Sequence, residues 1–120
     1  MIPRRRRPEP IGLREPPQVR SQAHLAWVRG HECSVSAAML IKGIGCNGRI
    51  KAAHVRTGTD GGMGVKPSDI WAIPLCCFHH AQQHAIGEIA FEAIYGINMR
   101  LIAEALAAKS PHRHKWSEKR

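Results

Sequence analysis

The chain has 120 residues, one domain's worth, with room for a single modest core. Its 18 Lys and Arg against 9 Asp and Glu give a net charge of +9, which favours a polyanionic partner, nucleic acid before an anionic membrane surface. No apolar run approaches the ~20 residues of a membrane span, and the opening MIPRRRRPEPIGLREPPQVR lacks the apolar stretch of a signal peptide, so an intracellular protein with reduced thiols is expected.

Residues 1–20 hold five of the eight prolines and the run Arg4 to Arg7, with almost no large apolar side chains. That composition predicts a disordered basic arm without a core. Order is expected from Ser21, a plausible helix N-cap, with Leu25 and Val28 forming a short apolar face beside Trp27. Residues near Met39 to Ile44 read as buried, and Gly43 and Gly45 lead the chain to Cys46. RIKAAHV (49–55) predicts a strand, and RTGTDGGMGVKPSD (56–69) a glycine-rich loop. IWAIPLC (70–76) predicts a second strand, β-branched and aromatic, with Pro74 marking an edge or an end. A helix follows from Cys77 to about Ile86, then a second in EIAFEAIYG, stopping at Gly96. An amphipathic last helix, NMRLIAEALAAK, is capped by Asn98. The domain is expected over 21–108, with a basic tail over 109–120.

The stretch IPLCCFHHAQQH (73–84) crowds two cysteines and three histidines into nine residues. Four cysteines in such company point to metal rather than to disulfides. His80 and His84 stand four apart and project from one helix face, so they can grip one ion. His79 lies about 100° around the helix from His80 and cannot easily share that ion. It can pair with Cys76 as C-x-x-H, the spacing of a structural zinc knuckle, and Cys33 and Cys46 would complete a tetrahedral Cys3His site. Twelve residues separate those two thiols, where a tight C-x-x-C is usual. Cys77 reads as packing, or as a spare ligand.

His54 sits in an otherwise apolar strand, where a histidine is commonly a satisfied core residue. Here the chain returns through the glycine loop to the histidine helix, which favours a position facing the ion. Asp69 opens the second strand; it can orient His54 through the loop backbone, supply an oxygen to a metal, or merely cap a turn beside Pro67 and Ser68. Arg49, Lys51, Arg56 and Lys66 are candidate phosphate contacts, against the plainer reading of a solvated surface.

The segments HLAWVRGHEC, AAHVRTGTDGGMGVKPSD and IWAIPLCCFHHAQQHAIGEIAFEAIYGIN resemble the His-Asn-His (HNH) endonuclease superfamily. The likeness is closest to a phage and prophage branch that includes recombination-enhancement nucleases. It covers roughly Gln22 to Asn98. The resemblance implies an α+β fold with a small ββα-metal core, a structural zinc site, flanking helices and basic tails. It implies a metal-dependent endonuclease that cuts DNA, duplex or single-stranded, with low sequence specificity, in recombination or processing within a bacterial host's cytoplasm. His54 matches the general base, Asp69 the place of the middle asparagine, His80 the final histidine that binds the catalytic ion, and His84 a further ligand. Cys33, Cys46, Cys76 and His79 match the zinc set of many members. Magnesium or manganese is the implied working ion and a host recombinase a possible partner; no membrane is implied, and the oligomeric state is left open. The chain departs from the family's pattern in two places: Ala53 stands where many members carry a metal ligand, and Asp69 replaces asparagine. The alternative is a non-catalytic zinc-containing module that binds nucleic acid, or else a small protein that binds a partner through its last helix.

Overall fold

A computed structural model of the chain describes residues 18–40, 45–61 and 66–117. The readings made above for 1–17, 41–44, 62–65 and 118–120 lie outside the described residues. The first helix, α1 (Gln22–Arg29), starts where the Ser21 hydroxyl accepts the His24 N–H at 3.1 Å, satisfying one of the helix's unpaired terminal donors. It buries His24, Leu25 and Val28. A second short helix, α2 (Ser34–Met39), was not foreseen. It ends at Leu40, which turns into the left-handed region at φ 59°. The expected burial near Met39 is corrected there: Met39 is 42% and Leu40 91% exposed, because the helix buries Ser34, Val35 and Ser36 at its start and then runs outward.

The two predicted strands form one antiparallel pair, β1 (Ile50–His54) and β2 (Ala72–Cys76), in a register that places Ile50 opposite Cys76 and His54 opposite Ala72. Every residue of β2 is buried. Pro74 does not end the strand, which continues to Cys76. A two-stranded sheet leaves each strand an edge, so the missing Pro74 N–H breaks no ladder on that side, and its carbonyl accepts the Ser34 hydroxyl at 2.9 Å. A single 3-10 turn, Asp69–Trp71, leads into β2. β2 passes without a loop into α3 (Cys77–Ile86), whose N-cap is Cys76 itself. Next come α4 (Glu88–Tyr95), α5 (Met99–Lys109) and a short α6 (His114–Ser117). Gly96 closes α4 in the left-handed conformation, and the Asn98 side chain caps α5 by accepting the Leu101 N–H.

The core joins Cys33 and Val35 to Ala53, Val55, Ile73, Leu75, Cys76, Phe91, Met99 and Ala103. Few of these are large. At about 1.5–3 kcal/mol for each large apolar side chain fully buried, such a core gives a small domain little margin. A two-stranded sheet is also marginal without something packed on it. The chain folds back beyond Lys109: the Ser110 hydroxyl meets His24 Nδ1 at 2.9 Å, and Trp116 lies edge-on to His24. Part of the segment read as a basic tail therefore packs against α1. Among the described residues no helix is long and apolar enough to cross a membrane.

Gly48, at φ 83°, brings its backbone against Cys77, so that an added Cβ would stand 2.6 Å from Cys77 Cβ. Gly96, at φ 66°, faces open space. Both positions carry a left-handed backbone penalty of about 1–2 kcal/mol for alanine. Thermal unfolding should therefore show a clearly larger loss of stability for Gly48→Ala than for Gly96→Ala.

Candidate metal centre and the histidine face

Cys76 and His79 are brought together by the first turn of α3, where the Cys76 sulfur accepts the His79 backbone N–H at 3.4 Å. Cys33 arrives just before α2, and Cys46 from the turn before β1. Their sulfurs stand 3.2 Å (Cys76), 3.5 Å (Cys33) and 3.7 Å (Cys46) from one atom, His79 Nδ1, and all four ligand atoms lie within 4.8 Å of one another. A ring nitrogen carries one proton or one lone pair and cannot hydrogen-bond three sulfurs at once. A tetrahedral ion bound at about 2.3 Å to sulfur and about 2.05 Å to nitrogen would hold S and N about 3.6 Å apart. The observed distances bracket that value, so these four residues could hold a metal ion. Cys77 is not among them; it packs on Gly48.

The electrostatics suit that role. Burial keeps His79 below the ordinary histidine pKa, so its ring is neutral and its lone pair free near neutral pH. Burial and the neighbouring Cys76 and Cys33 push the Cys46 thiol up to about 12. Burial also opposes ionisation of Cys76, but the backbone N–H groups of His79 and Asn47 and the thiols of Cys46 and Cys33 outweigh it and hold that sulfur below the usual thiol range. The two shifts run in opposite directions, Cys76 toward the thiolate and Cys46 away from it.

At the other end of the strand pair, His54 ends β1 and its Nε2 lies 2.9 Å from Asp69 Oδ1. Asp69 is buried and its second oxygen accepts the Ser21 backbone N–H at 2.7 Å, with the Arg20 guanidinium 3.5 Å from Oδ1. Burial alone would raise this carboxyl; the bonds from His54 and Ser21 and the charges of His54 and Arg20 outweigh it and hold Asp69 below the usual carboxylate range. The segment 18–20 is fastened to the same loop: Asp69 N–H donates to the Val19 carbonyl at 2.8 Å, Val19 N–H to the Ser68 hydroxyl at 2.9 Å, and Arg20 to the carbonyls of Lys66 and Pro67. Asp69 therefore meets His54 through its carboxylate, side chain to side chain, and not through the loop backbone.

His80 and His84 lie one turn apart on α3 with their Nε2 atoms 3.1 Å apart. An ion bonded to both at about 2.1 Å in tetrahedral or octahedral geometry would separate them by about 3.0–3.4 Å, so the pair fits a shared ion. His80 is held below the ordinary histidine pKa by burial and then by the charges of His84, Lys51 and His54. His54 and His84 line one cleft with Arg56, Gln83 and Glu88. His80 lines a second groove with Arg29, Arg49 and Lys51. Lys66 is exposed on the loop held by Arg20 and lines neither. The sequence did not single out Arg29 or Glu88. The carboxylate of Glu88 accepts the Arg56 and Thr57 N–H groups at 2.8 and 2.7 Å and so pins the chain just after His54. No short-range signal marks either residue, since both come from helices remote in sequence from the sites they reach.

Residues 13–110 match the model of a family described as protein of unknown function (DUF968), and the chain belongs to that family. No curated protein and no solved structure matches the chain.

Removing the Asp69 charge should be felt through both neighbours. Asp69→Asn weakens two charge-assisted bonds, each worth about 1.5–3 kcal/mol when a buried partner is stranded, so a loss of that order is expected in chemical denaturation. Because the folded pKa of Asp69 lies below its unfolded value, its contribution is present above the unfolded value and is lost as pH falls through the folded one. The stability difference between wild type and Asp69→Asn should accordingly shrink on acidification below about pH 4.

Proposed function

We propose that this member of the DUF968 family is a zinc-stabilised, metal-dependent endonuclease of the His-Asn-His kind, hydrolysing DNA phosphodiester bonds with little sequence preference. The observation that carries the reading is one arrangement. An antiparallel strand pair runs straight into α3, and this sets the Asp69-held His54 beside the His80–His84 pair while Cys76 and His79 anchor the same junction. The resemblance to the superfamily falls on the same residues.

The chemistry follows from the proton positions. With His54 Nε2–H donating to Asp69, the lone pair of the neutral ring is on Nδ1. That atom would take a proton from a water, whose oxygen attacks phosphorus as the bond to the 3′ oxygen breaks, leaving 5′-phosphate and 3′-hydroxyl ends. Asp69 would stabilise the imidazolium that results. His80 and His84 would hold a divalent ion, which supplies Lewis acidity toward the phosphate when bound. Ala53 is fully buried and brings no ligand from β1, the observation that favours the second reading, a non-catalytic zinc module that binds nucleic acid.

Zinc suits the four-residue cluster by donor type and geometry. The purified protein should hold one zinc per chain, lost in Cys33→Ser, Cys46→Ser, Cys76→Ser and His79→Ala but kept in Cys77→Ser, as read by elemental analysis. Since the Cys46 thiol, at about 12, and its neighbours must give up protons to bind, zinc affinity should fall as pH falls.

A supercoiled plasmid incubated with manganese or magnesium tests the activity. Wild type should nick or linearise it, and His54→Ala, with fold and zinc intact, should lose about 10²–10⁴ in rate. His84→Ala should also weaken manganese binding measured directly by electron paramagnetic resonance. Equal cleavage by wild type and His54→Ala would remove His54 from the mechanism. DNA binding without cleavage by either would favour the zinc module.

A further inference from the structure

The groove beside His80 sets Arg29 with Arg49 and Lys51, two of the candidate phosphate contacts. Arg49, Ile50, Lys51 and Ala52 are consecutive. Arg49 immediately precedes β1, whose first three residues are Ile50, Lys51 and Ala52. Across the groove stand Arg29, from the last turn of α1, and Cys77 and His80, from the first turn of α3.

Among the described residues no carboxylate lines this groove. Among the described residues Arg29, Arg49 and Lys51 make no ion pair, and all three are exposed. The described acids are engaged elsewhere: Asp60 with Ser68, Asp69 with His54 and Ser21, Glu88 with the backbone after His54, Glu92 with the Met99 N–H, and Glu104 with Arg100, while Glu32 lines a different groove. Among the described residues the three cations that line this groove therefore have no carboxylate partner. An anion seated among these cations would relieve their mutual repulsion.

We infer that the groove of Arg29, Arg49 and Lys51 is a phosphodiester-binding site for a nucleic-acid backbone, with Arg29 as its contact from outside the strand pair. His80 stands at the boundary between this groove and the histidine face. A strand seated here would run across His80 toward the cleft of His54, Arg56 and His84. That the bound phosphate neighbours the one cut rests on the nuclease reading; the binding does not.

The test measures binding without cleavage. The full-length, zinc-loaded protein is titrated against a short labelled DNA duplex by fluorescence anisotropy, without added divalent ion, over a range of salt concentrations. Each phosphate contact contributes about 0.9 to the slope of log K against log salt. The triple variant Arg29→Gln, Arg49→Gln, Lys51→Gln should lose about that amount per substitution, Arg29→Gln alone about one contact's worth, and Arg29→Lys should restore most of it. Arg100→Gln, which removes one charge on α5 away from the groove, should leave the slope unchanged. An unaltered slope in the triple variant, with zinc content and circular dichroism retained, would overturn the assignment. An equal fall in Arg100→Gln would also overturn it, showing an effect of net charge alone. Should the triple variant not fold, the exposed single Arg29→Gln decides. A normal slope with no cleavage under metal would instead count against the nuclease reading and leave the groove standing.

Discussion

Three sulfurs meet one ring nitrogen at a point that belongs to no single element of the fold, and the rest of the structure is arranged around that meeting. Cys33 comes from the entry to α2, Cys46 from the turn before β1, Cys76 from the end of β2 and His79 from α3. The apolar core lies alongside, with Cys33 and Cys76 as members of it and Phe91 and Tyr95 set edge-on to the His79 ring. The core is small and the sheet has two strands. An ion joining four separate places in the chain would contribute folding energy that burial alone cannot supply here.

Asp69 is a second junction, of a different kind. Its carboxylate is divided between the backbone N–H at the start of α1 and the ring at the end of β1, and its own N–H returns to the Val19 carbonyl. The chain that emerges from the arginine-rich first residues is thus tied by hydrogen bonds to the group that orients His54. In the proposed enzyme, any pull on that segment would reach the general base through a single carboxylate. Glu88 plays the complementary part on the other side of His54, holding Arg56 and Thr57 by their N–H groups.

Much of this was legible in the sequence because the signals are local. Ser21 and Asn98 announce helix starts through side chains that can accept an N–H, and Gly96 announces a stop through its backbone freedom. Cys76 and His79 are three apart on one turn, and His80 and His84 four apart on one face, so their pairing follows from helix geometry alone. The joining of Cys33 and Cys46 could be written only as a completion of the set, since twelve residues between two ligands fix nothing about their approach. α2 was missed because SVSAAM has no amphipathic period of useful length, and the burial of Met39 was misjudged because apolarity alone does not say which way a short helix ends. The direct His54–Asp69 contact, the reach of Arg29 and the role of Glu88 all depend on tertiary placement that no spacing encodes.

The account stands or falls on the four-residue centre, from which the positions of β2, α3 and the histidine face follow. The most direct measurement is X-ray absorption at the zinc edge of the purified protein. The account predicts a first shell of three sulfurs at about 2.3 Å and one nitrogen at about 2.0–2.1 Å. A shell of oxygen and nitrogen only, or a folded protein that carries no metal with its four thiols free, would contradict it.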